Sequence, residues 1–172
     1  MFNAGTLKKF EMFKGISDDN LASMAELCHP YSMNEGNHIF AEGSKANDVH
    51  LCLSGKVDIS IRLEQPWNRN VQIHRAGQGE VFGWSALVAP YIYTASAECI
   101  ESGEEIRLKG SELLSLFQKS PVIGYTVMEN LGAIISLRLS QTRQRLVEEW
   151  LGSSWSVNPS AWGEGGKRLS SK

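Results

Sequence analysis

The 172-residue sequence lacks an excess of charge of either sign, a paired set of cysteines and any unbroken apolar run of membrane length. Its 17 lysines and arginines stand against 19 aspartates and glutamates, a formal net charge of -2. The basic surface that grips nucleic-acid phosphates is therefore missing from the composition, and direct nucleic-acid binding is not expected. Cys28, Cys52 and Cys99 are odd in number, widely spaced and without a C-x-x-C pair, which fits reduced thiols in a cytoplasmic protein rather than a disulfide framework. No apolar run approaches the ~20 residues that span a bilayer. No apolar N-terminal segment with a cleavage site stands out either. The expectation is a cytoplasmic chain without a membrane partner, long enough for one ample core plus appendages.

Catalytic and metal-ligating patterns are equally scarce. His29, His38, His50 and His74 show no paired ligand spacing, and no Ser/His/Asp or Cys/His arrangement stands out. The run Gly77-x-Gly79-x-x-x-Gly83 has the wrong spacing for a dinucleotide fingerprint and no long helix directly after it, so these are turn glycines. No enzyme activity, metal or cofactor is expected.

What is present is a change of texture along the chain. Leu7, Phe10, Phe13, Leu21, Met24, Ala25 and Leu27 recur at helical spacing, with a break near Gly15 and a second helix from about Asp18, N-capped by Ser17. From Tyr31 to Ile106, short β-branched and apolar runs are punctuated by turn signals roughly every ten residues, the pattern of a sandwich or barrel. Val57, Ile59 and Ile61 alternate with Asp58, Ser60 and Arg62, which reads as a half-buried strand. Helical spacing returns with a short helix capped at Gly110-Ser111, and Ser120-Pro121 starts a long helix over 121–150. On that helix Met128, Leu131, Ile135, Leu139, Thr142, Leu146 and Trp150 follow 3-4-4-3-4-4 spacing, while Val127, Ile134 and Leu137 widen the apolar face. A helix apolar on more than one stripe buries more than one side, and a homodimer through 121–150 would do that. The expected organisation is one domain over 1–150 and a flexible Gly/Ser-rich tail over 151–172, with Trp155 and Trp162 as docking points for a partner protein.

The stretch FGWSALVAPYIYTASA, residues 82–97, has the form of a phosphate cradle without a charged residue: a Gly turn, one short helical turn, Pro90, then a strand. Unpaired backbone N–H groups at such a turn receive anions. Taken with G36-N-H-I-F-A-E-G43, L53-S-G-K-V57 and G77-Q-G-E-V-F-G83-x-x-A-L87, it resembles the cyclic-nucleotide-binding domain of the catabolite activator protein and kinase regulatory subunit family, over roughly residues 7–150. The resemblance implies an α+β, mainly β fold: a double-stranded antiparallel β-barrel (jelly roll) flanked by N-terminal helices and a long C-terminal helix.

In that family the cradle reads F-G-E-x-A-L followed by P-R-A or P-R-S, the Glu holding the ribose hydroxyl and the Arg pairing with the cyclic phosphate. Here Trp84 and Tyr93 stand at those positions. Charge-assisted hydrogen bonds are worth about 1.5–3 kcal/mol each, so losing two weakens cyclic-nucleotide binding by roughly two to four orders of magnitude. The ligand-facing residues implied are Gly83, Trp84, Ser85 and Ala86 through their backbone, Tyr93 and Thr94 after them, and Thr142, which matches a base-contacting threonine of the activator protein. The expected function is a ligand-responsive regulatory module without its own DNA-binding part, in which a small molecule held between the cradle and Thr142 shifts the long helix. The alternatives are a structural protein with a collapsed site, its rings filling the cradle as core, and a transcription regulator lacking its helix-turn-helix.

Overall fold

The computed structural model describes residues 3–154; the expected tail therefore lies, beyond Ser154, outside the described residues. The N-terminal segment forms α1 (Ala4–Leu7), a 3-10 turn (Glu11–Phe13) and α2 (Asp18–Ala25). Ser17 occupies the N-cap of α2 as expected, but its hydroxyl makes no capping bond, and Asp18 and Asp19 supply the negative charge of the first turn. Eight strands follow: β1 (His29–Met33), β2 (His38–Phe40), β3 (Asp48–Cys52), β4 (Lys56–Leu63), β5 (Arg69–Ala76), β6 (Val81–Phe82), β7 (Ser96–Glu101) and β8 (Gly103–Lys109). They build two four-stranded antiparallel sheets, ordered β1-β8-β3-β6 and β2-β7-β4-β5, the two layers of a jelly roll. Two helices close the described chain, α3 (Gly110–Lys119) and α4 (Pro121–Ser154).

Alternation along the strands divides the core into two clusters. On β3, Val49 and Leu51 face outward onto the helices, where Leu7, Phe10, Phe13, Leu21, Met24, Leu113, Ile123, Val127 and Leu131 bury them. Cys52 faces the other way, into an inner cluster with Met33, Val57, Ala76, Phe82, Ala97 and Cys99. Each Leu or Phe withdrawn from water in this way contributes about 1.5–3 kcal/mol. The expected alternation on β4 is softened by a bulge between Ile59 and Ser60: Val57 is fully buried, whereas Ile59 and Ile61 are half-buried.

The short helix departs from its expected cap. Lys109, not Ser111, is the N-cap residue of α3, without a side-chain bond, and helix geometry already begins at Gly110. A β-carbon at Gly110 would collide with the Ala86 carbonyl oxygen and lie 2.9 Å from the Ala86 methyl. The glycine therefore lets α3 approach the cradle, and its N–H donates to the Asn47 carbonyl at 2.8 Å.

The described residues divide into two units between Ser136 and Leu137. In the first, α4 is held by Ile123, Val127 and Leu131 and by the Asn130 amide, which donates to the carbonyls of Met12 (3.2 Å) and Lys14 (2.8 Å). In the second, Leu137, Leu139, Leu146 and Val147 are exposed. Over Pro121–Glu148 the helix is long and apolar enough, by length and composition, to cross a bilayer. The sequence shows no unbroken apolar run there because the apolar residues are distributed as stripes among polar ones.

Candidate ligand cradle

Gly83 turns the chain out of β6 in the left-handed conformation, at φ 71°, and caps the 3-10 turn Trp84–Leu87. A β-carbon there would come within 2.7 Å of the His50 ring and 3.2 Å of both the Phe40 ring and the Asp48 carbonyl. Glycine is required on both counts, backbone conformation and space. Trp84 and Ser85 are half-buried and Ala86 is buried. The Trp84 ring packs against the outer core, and the Ala86 N–H is already donated to the Gly83 carbonyl at 3.2 Å.

The chain then runs through Tyr91, at φ 59°, and returns alongside the segment between β2 and β3. The Gly43 and Ala46 N–H groups donate to the Tyr93 and Tyr91 carbonyls, both at 2.8 Å, and the Tyr93 N–H donates to Ser44 at 2.9 Å. Thr94 is exposed. Thr142 lies in the second unit, exposed, its hydroxyl turned back onto the Arg138 carbonyl at 2.9 Å.

Tyr93 is 5 % exposed. Its ring stacks on Phe40 with centroids 3.8 Å apart and planes 8° apart. The hydroxyl donates to the Asp48 carbonyl at 2.9 Å and accepts from the Asp48 N–H at 3.2 Å. Burial pushes its pKa above the ordinary tyrosine value, so the position carries no charge at neutral pH.

Behind the tyrosine lies a polar network that sequence reasoning missed. His50 stacks on Phe82 with centroids 4.9 Å apart, and its Nε2 is 3.4 Å from the Tyr93 hydroxyl. Its Nδ1 donates to Glu105 Oε2 at 2.9 Å, and Arg107 Nε donates to the other carboxylate oxygen at 2.6 Å. Glu105 is fully buried. Burial raises its pKa, but the hydrogen bonds and charges of His50 and Arg107 outweigh that and hold the carboxyl below its usual value. Arg107 in turn lies 4.0 Å over the Tyr31 ring. The missed signal is the alternation Glu105-Ile106-Arg107-Leu108, which reads as one solvated and one buried face. On β8 it is the apolar face, Ile106 and Leu108, that turns outward beneath the helices, so the polar face turns inward and Glu105 is buried.

The thiols offer no nucleophile here. Burial raises Cys52 to about 11 and Cys28 to about 12, and raises Cys99 as well, so all three stay protonated at neutral pH.

A two-sheet jelly roll with a glycine-cornered cradle and a long following helix defines a class of small-molecule-responsive regulatory domains, and the comparisons agree. The sequence model of the cyclic nucleotide-binding domain matches residues 31–120, more than half of the chain, and the chain belongs to that family. It is 25% identical over 142 residues to a CRP-like cAMP-activated global transcriptional regulator of Mycobacterium tuberculosis, covering 83% of this chain and 61% of that protein. Among solved structures, the catabolite activator protein of Thermus thermophilus is similar at a TM-score of 0.65 and 26% identity, covering 83% of this chain and 63% of that one. A cyclic nucleotide-binding domain from Methylobacillus flagellatus shares the fold at a TM-score of 0.72 and 17% identity, covering 85% and 81%. The chain thus spans less than two thirds of the full-length regulators it resembles.

Proposed function

We propose that this chain is a regulatory, non-catalytic module of the cyclic nucleotide-binding family that acts in the cytoplasm as a homodimer. Its inner cradle is locked by its own side chains and does not hold a cyclic nucleotide through the family's charge pair. The observation that carries this reading is Tyr93. It stands where the resemblance puts the phosphate-pairing arginine, yet its ring is stacked on Phe40 and its hydroxyl is spent on the Asp48 main chain. A phosphate entering there would meet a neutral, already bonded group and would displace an aromatic stack worth about 0.5–1.5 kcal/mol beyond its buried area. Gly83, Trp84, Ser85, Ala86 and Thr94 then serve to position the lock, and the output is carried by α4 to a second copy or a docked partner protein.

The test is a thermal melt of the full chain with cyclic AMP, cyclic GMP and cyclic dinucleotides at millimolar concentration. A ligand at 100 times its Kd adds about 2.7 kcal/mol of stability. No shift is expected with any of them. A shift with cyclic AMP that survives Tyr93→Phe would show that the cradle opens and would overturn the reading.

A further inference from the structure

On the outer side of the cradle lies an open cleft of about 590 Å³, within the roughly 300–1,000 Å³ usual for small-molecule sites. It belongs wholly to the first unit. One wall is the segment before β3, another is the outer face of the cradle at Ala86 and Tyr91, and the floor is Leu114 of α3. Its lining is apolar at Ala46, Ala86 and Leu114, and Tyr91, 41 % exposed, offers a ring.

Two charges of this cleft have no side-chain partner among the described residues. Lys45 and Asp48 both line it, they do not pair with each other, and the side chain of neither makes an ion pair or hydrogen bond among the described residues. Lys109, the other cation of the rim, is paired with Glu112 at 3.3 Å. Two opposite charges that share an apolar cleft without meeting fit an occupant that carries both charges itself. Each would gain a charge-assisted hydrogen bond, and the apolar body between them would lie against Leu114 and Tyr91.

We propose that this cleft binds a zwitterionic metabolite of amino-acid type with an aromatic side chain, its carboxylate toward Lys45, its ammonium toward Asp48. The site is separate from the barrel interior, and the proposal stands whether or not that interior takes a nucleotide. It also has a way to be felt. The main chain of Asp48 holds the Tyr93 hydroxyl, so an occupant drawn to the Asp48 carboxylate acts on the residue that locks the cradle. The floor is α3, whose Phe117 packs against Gly124 of α4 so closely that a β-carbon on the glycine would come within 2.7 Å of it.

The probe is L-tryptophan, with indole-3-propionate lacking the ammonium and tryptamine lacking the carboxylate, followed by thermal melt and calorimetric titration of the full chain. Tryptophan is expected to raise the melting midpoint, and each analogue to bind at least tenfold more weakly. Lys45→Ala and Asp48→Asn change side chains that have no hydrogen-bond or ion-pair partner among the described residues, so their unliganded midpoints stay near the parent's while the tryptophan shift is lost. Absence of a tryptophan shift in the parent, equal shifts from all three compounds, or a shift left intact in either variant would overturn the proposal. Because no cyclic nucleotide is used, its failure leaves the reading of the inner cradle untouched.

Discussion

Tyr93 and Glu105 show how much of this module rests on single buried polar groups. Removing the Tyr93 hydroxyl leaves the Asp48 N–H and carbonyl without their partner, and an unsatisfied buried group costs about 1–3 kcal/mol. Tyr93→Phe is therefore expected to lower the unfolding free energy by that amount, read as a lower urea midpoint at an unchanged m-value, although the ring and its stack on Phe40 remain. An unchanged midpoint would mean that the hydroxyl is not engaged as described. Glu105 carries more, because truncating one member of a buried charge cluster strands the others, typically for about 3–5 kcal/mol. The pH dependence follows from the direction of its shift. The folded carboxyl titrates below its ordinary value of 4.5, so its contribution is complete above that value. It is lost as pH falls through the depressed folded value, since the unfolded chain takes up the proton first. Denaturant melts at a series of acid pH values should show this loss in the parent and a flatter acid limb in Glu105→Gln. Equal slopes would remove Glu105 from the account.

Elements were legible in the sequence to different depths, for identifiable reasons. The start of α4 at Pro121 and the glycine corners between strands were readable because proline and positive-φ glycine impose backbone conformation locally, whereas the strand pattern alone gave a sandwich or barrel and the jelly-roll class came from the family resemblance. Of the candidate site, the segment 82–94 was readable as a unit, but the state of Tyr93 was not. Its stack and hydrogen bonds come from Phe40 and Asp48, 53 and 45 residues away in the chain. The capping of α3 was misread for a related reason. Ser111 is a good local cap, but Gly110 is fixed by a tertiary contact with Ala86, and the helix starts two residues sooner than a Ser111 cap would set. This predicts a reversal of the usual helix rule. Alanine in place of a helical glycine ordinarily stabilises by about 0.5–1 kcal/mol, and Gly132→Ala on α4, where a β-carbon meets nothing within 4 Å, is expected to do so. Gly110→Ala should instead destabilise by about 1–3 kcal/mol, since the new methyl must push α3 away from the cradle. Urea unfolding of the two variants side by side checks this, and stabilisation by both would show that α3 does not sit as closely on Ala86 as described.

At the scale of the whole molecule the open question is what covers α4. Its spacing pattern runs through Met128, Leu131, Ile135, Leu139, Thr142, Leu146 and Trp150, but Leu131 is already buried in the first unit. Ile135 packs against that unit's core as well, and within the second unit Leu139, 61 % exposed, and Leu146, 66 % exposed, are left for another surface. Two covers fit their chemistry, a second copy of the helix and a lipid bilayer, because the same helix passes for a membrane span by length and composition. The helix also bears Glu129, Asn130, Arg138, Arg143 and Arg145, and Asn130 is committed to the Met12 and Lys14 carbonyls of its own unit. Charged groups at the centre of a bilayer cost several kcal/mol, whereas beside a coiled-coil seam they remain in water. A dimer is therefore the expected cover. Sedimentation of the chain at tens of micromolar without detergent should give one species of twice 19.1 kDa. Burying each leucine of the seam contributes about 1.5–3 kcal/mol. Leu139→Glu combined with Leu146→Glu removes four leucines from a symmetric interface and should give 19.1 kDa with an unchanged far-ultraviolet spectrum. A parent chain that sediments as a monomer, or one that stays dispersed only in detergent, would refute the dimer, and the second result would assign the stripe to lipid.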